Sequence, residues 1–507
     1  MSEPASRVQS SLTSHLPVQG SMGGAATEPS TTTHTARRPL LVVMKFGGTS
    51  VQDATAIQRT LSIVKGRYDR GLRPIVVVSA MAGVTDGLLA AATAAAQGKV
   101  EEALTLSDGL RARHLETAAA LVGRGIADLS RLLGESFDKL NDILRGVAAV
   151  GELTDRTNDL VASFGERLSS RIVADAFEHR GLRSAHVDAR TCIITDGRHG
   201  KATPLLEAIK VRLLEHLLPL TEVRAIPILG GFIGTSRTGA PTTLGRGGSD
   251  YTAALVGGAL QAGSIEIWTD VDGIMTTDPR LCPDALRVRM ISFEEASELA
   301  YFGAKVLHPA TILPAMRQDI PVWVLNSHNP ANEGTVIMPV APPCSSPLKS
   351  IAAKRHLTIV HLVSSRRLLS HGFLRAVFEV FDRFECAIDM VSTSETSVSV
   401  TVDAGTRVEA IREALDGIAD MSVEKNRALI CLVGEDIRGQ RGIAARVFAT
   451  VCDSNLQMIS QGANGINLSF MIDDAAAPDA VRALHAEFFK DVDAEIFDVD
   501  ARQWATA

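Results

Sequence analysis

The sequence predicts an α/β protein whose mainly parallel sheet is followed by two copies of a βαββαβ unit. Two observations predict this. Short apolar runs alternate with helical patterns through the first two thirds of the chain, and the last third repeats itself with an offset of 70 residues. Composition agrees. Of 507 residues, 46% are hydrophobic and 21% charged, ordinary for a globular chain and incompatible with wholesale disorder. Lys and Arg number 51 against 58 Asp and Glu, a net charge of −7. That balance argues against a nucleic-acid partner, which calls for clustered positive charge. No apolar run reaches the roughly 20 residues of a membrane helix, so no membrane partner is expected.

Residues 1–38 read as a disordered extension. About half of the residues before Arg37 are Ser, Thr, Pro or Gly, and the continuous apolar core of a signal peptide is missing. The six cysteines form no CxxC or CxxxC pair, which points away from zinc or redox motifs. A cytoplasmic location is the expectation.

Order is expected from Leu40 onward. Leu41–Phe46 reads as a buried strand ending in Gly47-Gly48. Further strands are expected in the apolar runs Pro74–Ala80, Ala225–Gly231, Ser264–Thr269 and Pro321–Leu325. Between Asp86 and Arg171, residues rich in Ala, Leu, Arg and Glu recur at helical spacing, as in a cap or packing element. The prolines of Ala341–Pro347 then mark a linker. In the repeat, Ile359–Val363 matches Leu429–Val433, Gly372-Phe373 matches Gly442-Ile443, and Val398–Val402 matches Leu468–Ile472. The expected units are residues 39–340, a linker 341–350, and two repeats at 351–425 and 426–507.

Three glycine-rich or turn-rich segments follow strands. Lys45-Phe46-Gly47-Gly48-Thr49-Ser50 is either an ordinary strand-to-helix turn or a phosphate cradle with Lys45 beside it. It is neither a Walker A loop nor a GxGxxG fingerprint. Thr243-Leu244-Gly245-Arg246-Gly247-Gly248-Ser249-Asp250 precedes an Ala-rich helix, expected at Tyr251–Ala262. Arg246 can fork to a carboxylate, or be a solvated charge with Asp250 a helix cap. The segment from Thr269 to Arg280 lacks the glutamate of a calcium-binding EF-hand loop, so a nucleotide-facing loop is the better account.

Four strings, KFGGTSV (45–51), TLGRGGSD (243–250), TDVDGIMTTDPR (269–280) and FGAKVLHP (302–309), resemble in order the signatures of the aspartate kinase family. The C-terminal repeats resemble its tandem ACT domains. The resemblance implies an amino acid kinase fold, a carbamate kinase-like three-layer sandwich, followed by two ferredoxin-like ACT domains. It implies ATP-dependent phosphorylation of the side chain of L-aspartate, with Mg²⁺ as cofactor. Carried over by motif, Lys45 and Asp250 are the catalytic positions, while Ser79, Thr85, Glu166 and Arg246 bind aspartate. Lys45, Gly47, Gly48, Thr49, Thr269, Asp270, Met275, Arg280, Lys305 and Val306 face the nucleotide. Met275 stands where many relatives carry Tyr. Such chemistry needs no general base, because the nucleophilic carboxylate, with a reference pKa of about 3.9, is already ionised.

For the repeats, the resemblance implies an amino-acid effector and a homo-oligomer built through the ACT domains. Ser370, Gly372, Phe373, Leu374, Asp389, Ser394 and Glu395 form the expected allosteric site. In the repeat register Asp389 becomes Ile459 and Glu395 becomes Gly465, so the first copy is the expected effector copy. Two carboxylates suit a ligand with two amines, which favours L-lysine over threonine. Other kinases of the same fold and a silent amino-acid sensor are the competing readings. Against the sensor stand the intact Lys45, Arg246 and Asp250.

Overall fold

The computed structural model describes residues 40–123, 126–302, 309–364, 372–394, 396–462 and 464–499. The expected N-terminal extension lies outside them. An eight-stranded sheet runs in the order Met290–Ser292, Thr335–Met338, Val322–Asn326, Ser264–Thr269, Leu41–Phe46, Arg73–Val78, Ile226–Gly230, Ser184–Val187. All neighbouring pairs are parallel except Val322–Asn326 with Thr335–Met338. The strand Ser264–Thr269 has the bounds its apolar run predicts, and the other runs become strands within a few residues of theirs.

Helices cover both faces. On one, Val42, Met44, Phe46, Val76 and Val78 share a core with the helices between Val84 and His179. The expected helical segment is thus a packing layer. Its Arg113 also reaches the segments after two of the strands, donating to the carbonyls of Ala82 (2.7 Å) and Gln52 (2.9 Å). On the other face, Val43, Ile75 and Val77 meet the Ala-rich helix Gly248–Leu260, which begins three residues before its predicted start. Among the described residues, no helix is long and apolar enough to cross a membrane.

The two C-terminal repeats form one six-stranded antiparallel sheet. The 70-residue register holds in detail: Ser397–Asp403 and Asn467–Asp473 are equivalent strands, and Gly372 and Gly442 are equivalent left-handed caps, with φ 102° and 84°. One departure from simple duplication appears. The final strand expected of the second copy, Phe497–Asp498, pairs instead with Arg287–Val288 of the N-terminal unit. Its place in the sheet is taken by Ser350–Lys354, the leading part of the long strand Ser350–Ser364, which pairs with Leu429–Val433. The second copy accordingly shares one continuous apolar core with the N-terminal unit; the first adds only Leu357, Ile359 and Met390 to it beyond the Ser350–Lys354 segment and has a second core of its own around Val360, Phe373, Val377 and Val400.

Candidate active site

Alternation along Leu41–Phe46 decides where its lysine goes. With Val42, Met44 and Phe46 on the helical-layer face, Lys45 follows Val43 to the other. The helix Gly248–Leu260 packs there and carries Asp250 in its first turn. Lys45 Nζ therefore meets Asp250 Oδ1 at 2.6 Å, with the lysine 9% exposed. Gly245 and Gly247 make this approach possible: both have positive φ, 77° and 70°, at which a side chain would be strained.

The strand ends around the pair are stitched together by backbone bonds. Gly47 N–H donates to the Trp268 carbonyl (3.1 Å), Ser79 N–H to Phe46 (3.0 Å) and Gly231 N–H to Val78 (2.8 Å). Ligands of open α/β sheets bind at such carboxyl ends. From the helical layer, the helix Phe164–His179 brings Glu166 to the same place. A methyl group added at Gly230 would lie 2.8 Å from Glu166 Cβ, so only glycine lets the helix come this close. Ser169 Oγ, one turn further, donates to the Ser79 carbonyl (2.7 Å) and locks helix to strand end.

Lys45, Ser79, Thr85, Glu166, Arg246 and Asp250 all line one cavity of about 500 Å³. The charges within it are arranged asymmetrically. Arg246 is exposed at its edge. Glu166 is 4% exposed, and its Oε2 has no hydrogen-bond partner within the protein. Burial pushes its carboxyl up to about 8, against the opposing pull of the Ala80 backbone amide. A buried acid with one unsatisfied oxygen aimed at a cavity is a receptor for a cation.

Sequence reasoning misses two residues here. Asp159, fully buried, accepts from Thr243 Oγ1 (2.6 Å), Gly200 N–H (3.0 and 3.1 Å) and His199 Nδ1 (2.9 Å), fastening the segment before Arg246. Its partners lie 40 to 84 residues away, so no local pattern marks it. Phe232, at φ 63°, packs over Gly248 and lines the cavity. Its signal was the glycine pair that precedes it.

Residues 41–326 match the amino acid kinase family and residues 430–488 match the ACT domain. The chain is 37% identical to chloroplastic aspartokinase 1 of Arabidopsis thaliana over 481 residues, 91% of this chain and 82% of that one. It is 36% identical to lysine-sensitive aspartokinase 3 of Escherichia coli (strain K12) over 463 residues, 89% of this chain and 99% of that one. The chain belongs to the aspartokinase family. Its fold matches that of E. coli aspartokinase III in complex with aspartate and ADP (R-state), with a TM-score of 0.78, 35% identity and coverage of 89% and 100% of the two chains. The same enzyme in complex with lysine and aspartate (T-state) matches at 0.76 and 35% identity, with the same coverage.

Against that family, the remaining expected positions divide. Gly47, Gly48 and Thr49 are half-buried at the strand end beside Lys45, and Thr269 closes the neighbouring strand, with its carbonyl held by Ser327 N–H at 2.8 Å. Asp270 and Arg280 are exposed, Arg280 forking onto Asp278 at 2.7–3.2 Å. None of Thr269, Asp270, Met275 and Arg280 lines the Lys45 cavity. Met275 and Thr276 carry their carbonyls to Ser350 Oγ (2.8 Å) and Ile351 N–H (2.7 Å), which ties this loop to the regulatory sheet. Lys305 and Val306 lie outside the described residues, as do Ser370 and Glu395. In the first ACT copy, Gly372 caps the helix Phe373–Arg383, Phe373 is buried and Leu374 exposed. Ser394 bonds to Ser397, and Asp389 is ion-paired to Lys354.

Proposed function

We infer that this chain catalyses the ATP-dependent phosphorylation of the side-chain carboxylate of L-aspartate to 4-phospho-L-aspartate, the first step towards lysine, threonine and methionine. The observation that carries this reading is one cavity presenting a buried, unsatisfied Glu166, an Arg246 guanidinium at its edge and the Lys45–Asp250 pair. Glu166 would take the substrate's ammonium and Arg246 its α-carboxylate by a two-point fork. The side-chain carboxylate is then the end left to face Lys45. It attacks already ionised, so the residues act by placement and charge neutralisation. Asp250 fixes the direction of the Lys45 ammonium, which offsets the repulsion between carboxylate and phosphate.

Magnesium is part of the proposal. Among the described residues no three His, Cys, Asp or Glu side chains converge into a cation cage. Asp250 offers a carboxylate at the cavity, which fits a small cation that keeps its waters and rides on nucleotide phosphates. When bound it would neutralise phosphate charge.

Feedback inhibition by L-lysine at the first ACT copy is proposed on the buried Asp389 and the unequal repeats, threonine being the alternative effector. Association of copies through the ACT sheet is supported by its edge strand Val391–Thr393, all three residues of which are exposed. Six unpaired cysteines suit the reducing cytoplasm proposed as its location.

The deciding experiment is a hydroxylamine trap of the acyl phosphate with ATP, Mg²⁺ and a panel of aspartate, glutamate and N-acetylglutamate. Aspartyl hydroxamate alone is expected; its absence defeats the reading.

A further inference from the structure

We propose that Lys354 is an internal occupant of the effector subsite, holding Asp389 until the ammonium of an incoming amino acid takes its place. This rests on the reading of the first ACT copy as the lysine site.

Lys354 Nζ lies 2.8 Å from both carboxylate oxygens of Asp389 and 3.0 Å from Asp403 Oδ1. The Asp389 side chain is only 8% exposed, so its charge is costly to leave unpaired, whereas Asp403 is largely in solvent. An ammonium on a four-carbon stem is the group that the side chain of L-lysine would present. Replacing one such ammonium with another keeps Asp389 paired throughout, so the exchange needs no buried carboxylate to stand alone. Lys354 is placed where yielding is easy. The register of the Ser350–Ser364 strand against its partner shifts between Lys354 and Leu357, and His356 takes a positive φ of 59°. Burial opposes the lysine charge, but Asp389 and Asp403 outweigh it and hold the ammonium above its ordinary range.

The residue before Asp389 touches the catalytic unit. Tyr301 Oη donates to the Ile388 carbonyl at 3.0 Å. Tyr301 ends the helix Phe293–Tyr301, directly before the FGAKVLHP string. That helix is also held by a buried ion pair, Glu295 Oε2 to Lys349 Nζ at 3.1 Å, five residues before Lys354 on the same chain segment. A shift at Asp389 therefore reaches the expected nucleotide segment through one short helix.

The test compares wild type, Lys354→Met and the milder Asp403→Asn for inhibition by L-lysine and for the shift in melting temperature that L-lysine produces. If the internal ammonium fills the subsite about nine-tenths of the time, its removal lowers the half-inhibitory concentration about tenfold. Asp403→Asn, which only loosens Lys354, lowers it by a smaller factor. A midpoint unchanged or raised in both variants overturns the proposal and leaves the lysine reading standing. A response to L-lysine in Lys354→Met alone supports the proposal in its stronger form, and no response in any of the three refutes both. Tyr301→Phe should still bind L-lysine by calorimetry yet be inhibited less; full inhibition there removes Tyr301 from the route.

Discussion

Replacing Glu166 with glutamine should abolish a proton release that accompanies aspartate binding. Glu166 sits almost without solvent, one oxygen unpartnered, and its carboxyl is pushed up to about 8. At pH 7 the free enzyme then holds that carboxyl protonated in about nine molecules of ten. An ammonium docked on it favours the ionised form, so each aspartate bound at pH 7 should expel close to one proton. The sign follows directly. Aspartate affinity is depressed below pH 8, recovers about tenfold per pH unit, or about 1.4 kcal/mol, as the pH rises towards 8, and levels off above. Stability runs the other way: the folded value lies above the ordinary 4.5, so the contribution of Glu166 is full below that pH and is lost as pH rises to about 8. Glu166→Gln should therefore melt higher than wild type at pH 8 while binding aspartate about tenfold or more weakly. Calorimetry at pH 7 in two buffers of different ionisation enthalpy reads the proton directly. A wild-type binding enthalpy independent of buffer, or an aspartate KM flat between pH 6 and 8, would refute the assignment of Glu166 to the substrate ammonium.

Asp250→Ala removes the partner that aims Lys45 and should lower kcat by roughly 10²–10³-fold with a smaller change in KM, measured by the hydroxamate assay; full turnover would exclude its role. Gly230→Ala forces a methyl group to 2.8 Å from Glu166 Cβ and 2.9 Å from its carbonyl oxygen. It should cost about 1–3 kcal/mol in denaturant unfolding and raise the KM for aspartate more than that for ATP. Asp498→Ala takes from Arg287, 5% exposed, a carboxylate it meets at 2.5 and 3.1 Å. The loss should be about 3 kcal/mol, and a melting temperature equal to wild type would show that the Phe497–Asp498 strand does not hold the catalytic unit.

Much of this molecule was legible along the chain, because the signals were local. Strand runs such as Ser264–Thr269 depend on residues within a few positions of each other, and the 70-residue repeat shows as two similar strings in one chain. Motif resemblance singled out Lys45, Glu166, Arg246 and Asp250, which line one cavity, and the strand period alone places Lys45 on the face that meets Asp250. Asp159 was not found, since its three partners are assembled from a distant loop and strand. The strand exchange that puts Ser350–Lys354 into the second ACT copy was not found either. A short β segment carries its hydrophobic pattern but not the identity of its partner.

The sequence by itself therefore determined the order of the main elements, the repeat and the motifs that place the chain in its family. Only the tertiary structure decided that the second repeat merges its core with the catalytic unit while the first keeps its own. The same is true of the buried, unsatisfied Glu166 and of Asp389 being held by Lys354. The physical reason is common to all three. Burial and ion pairing belong to the space between segments, and both change the energy of a charge by more than its neighbours along the chain can.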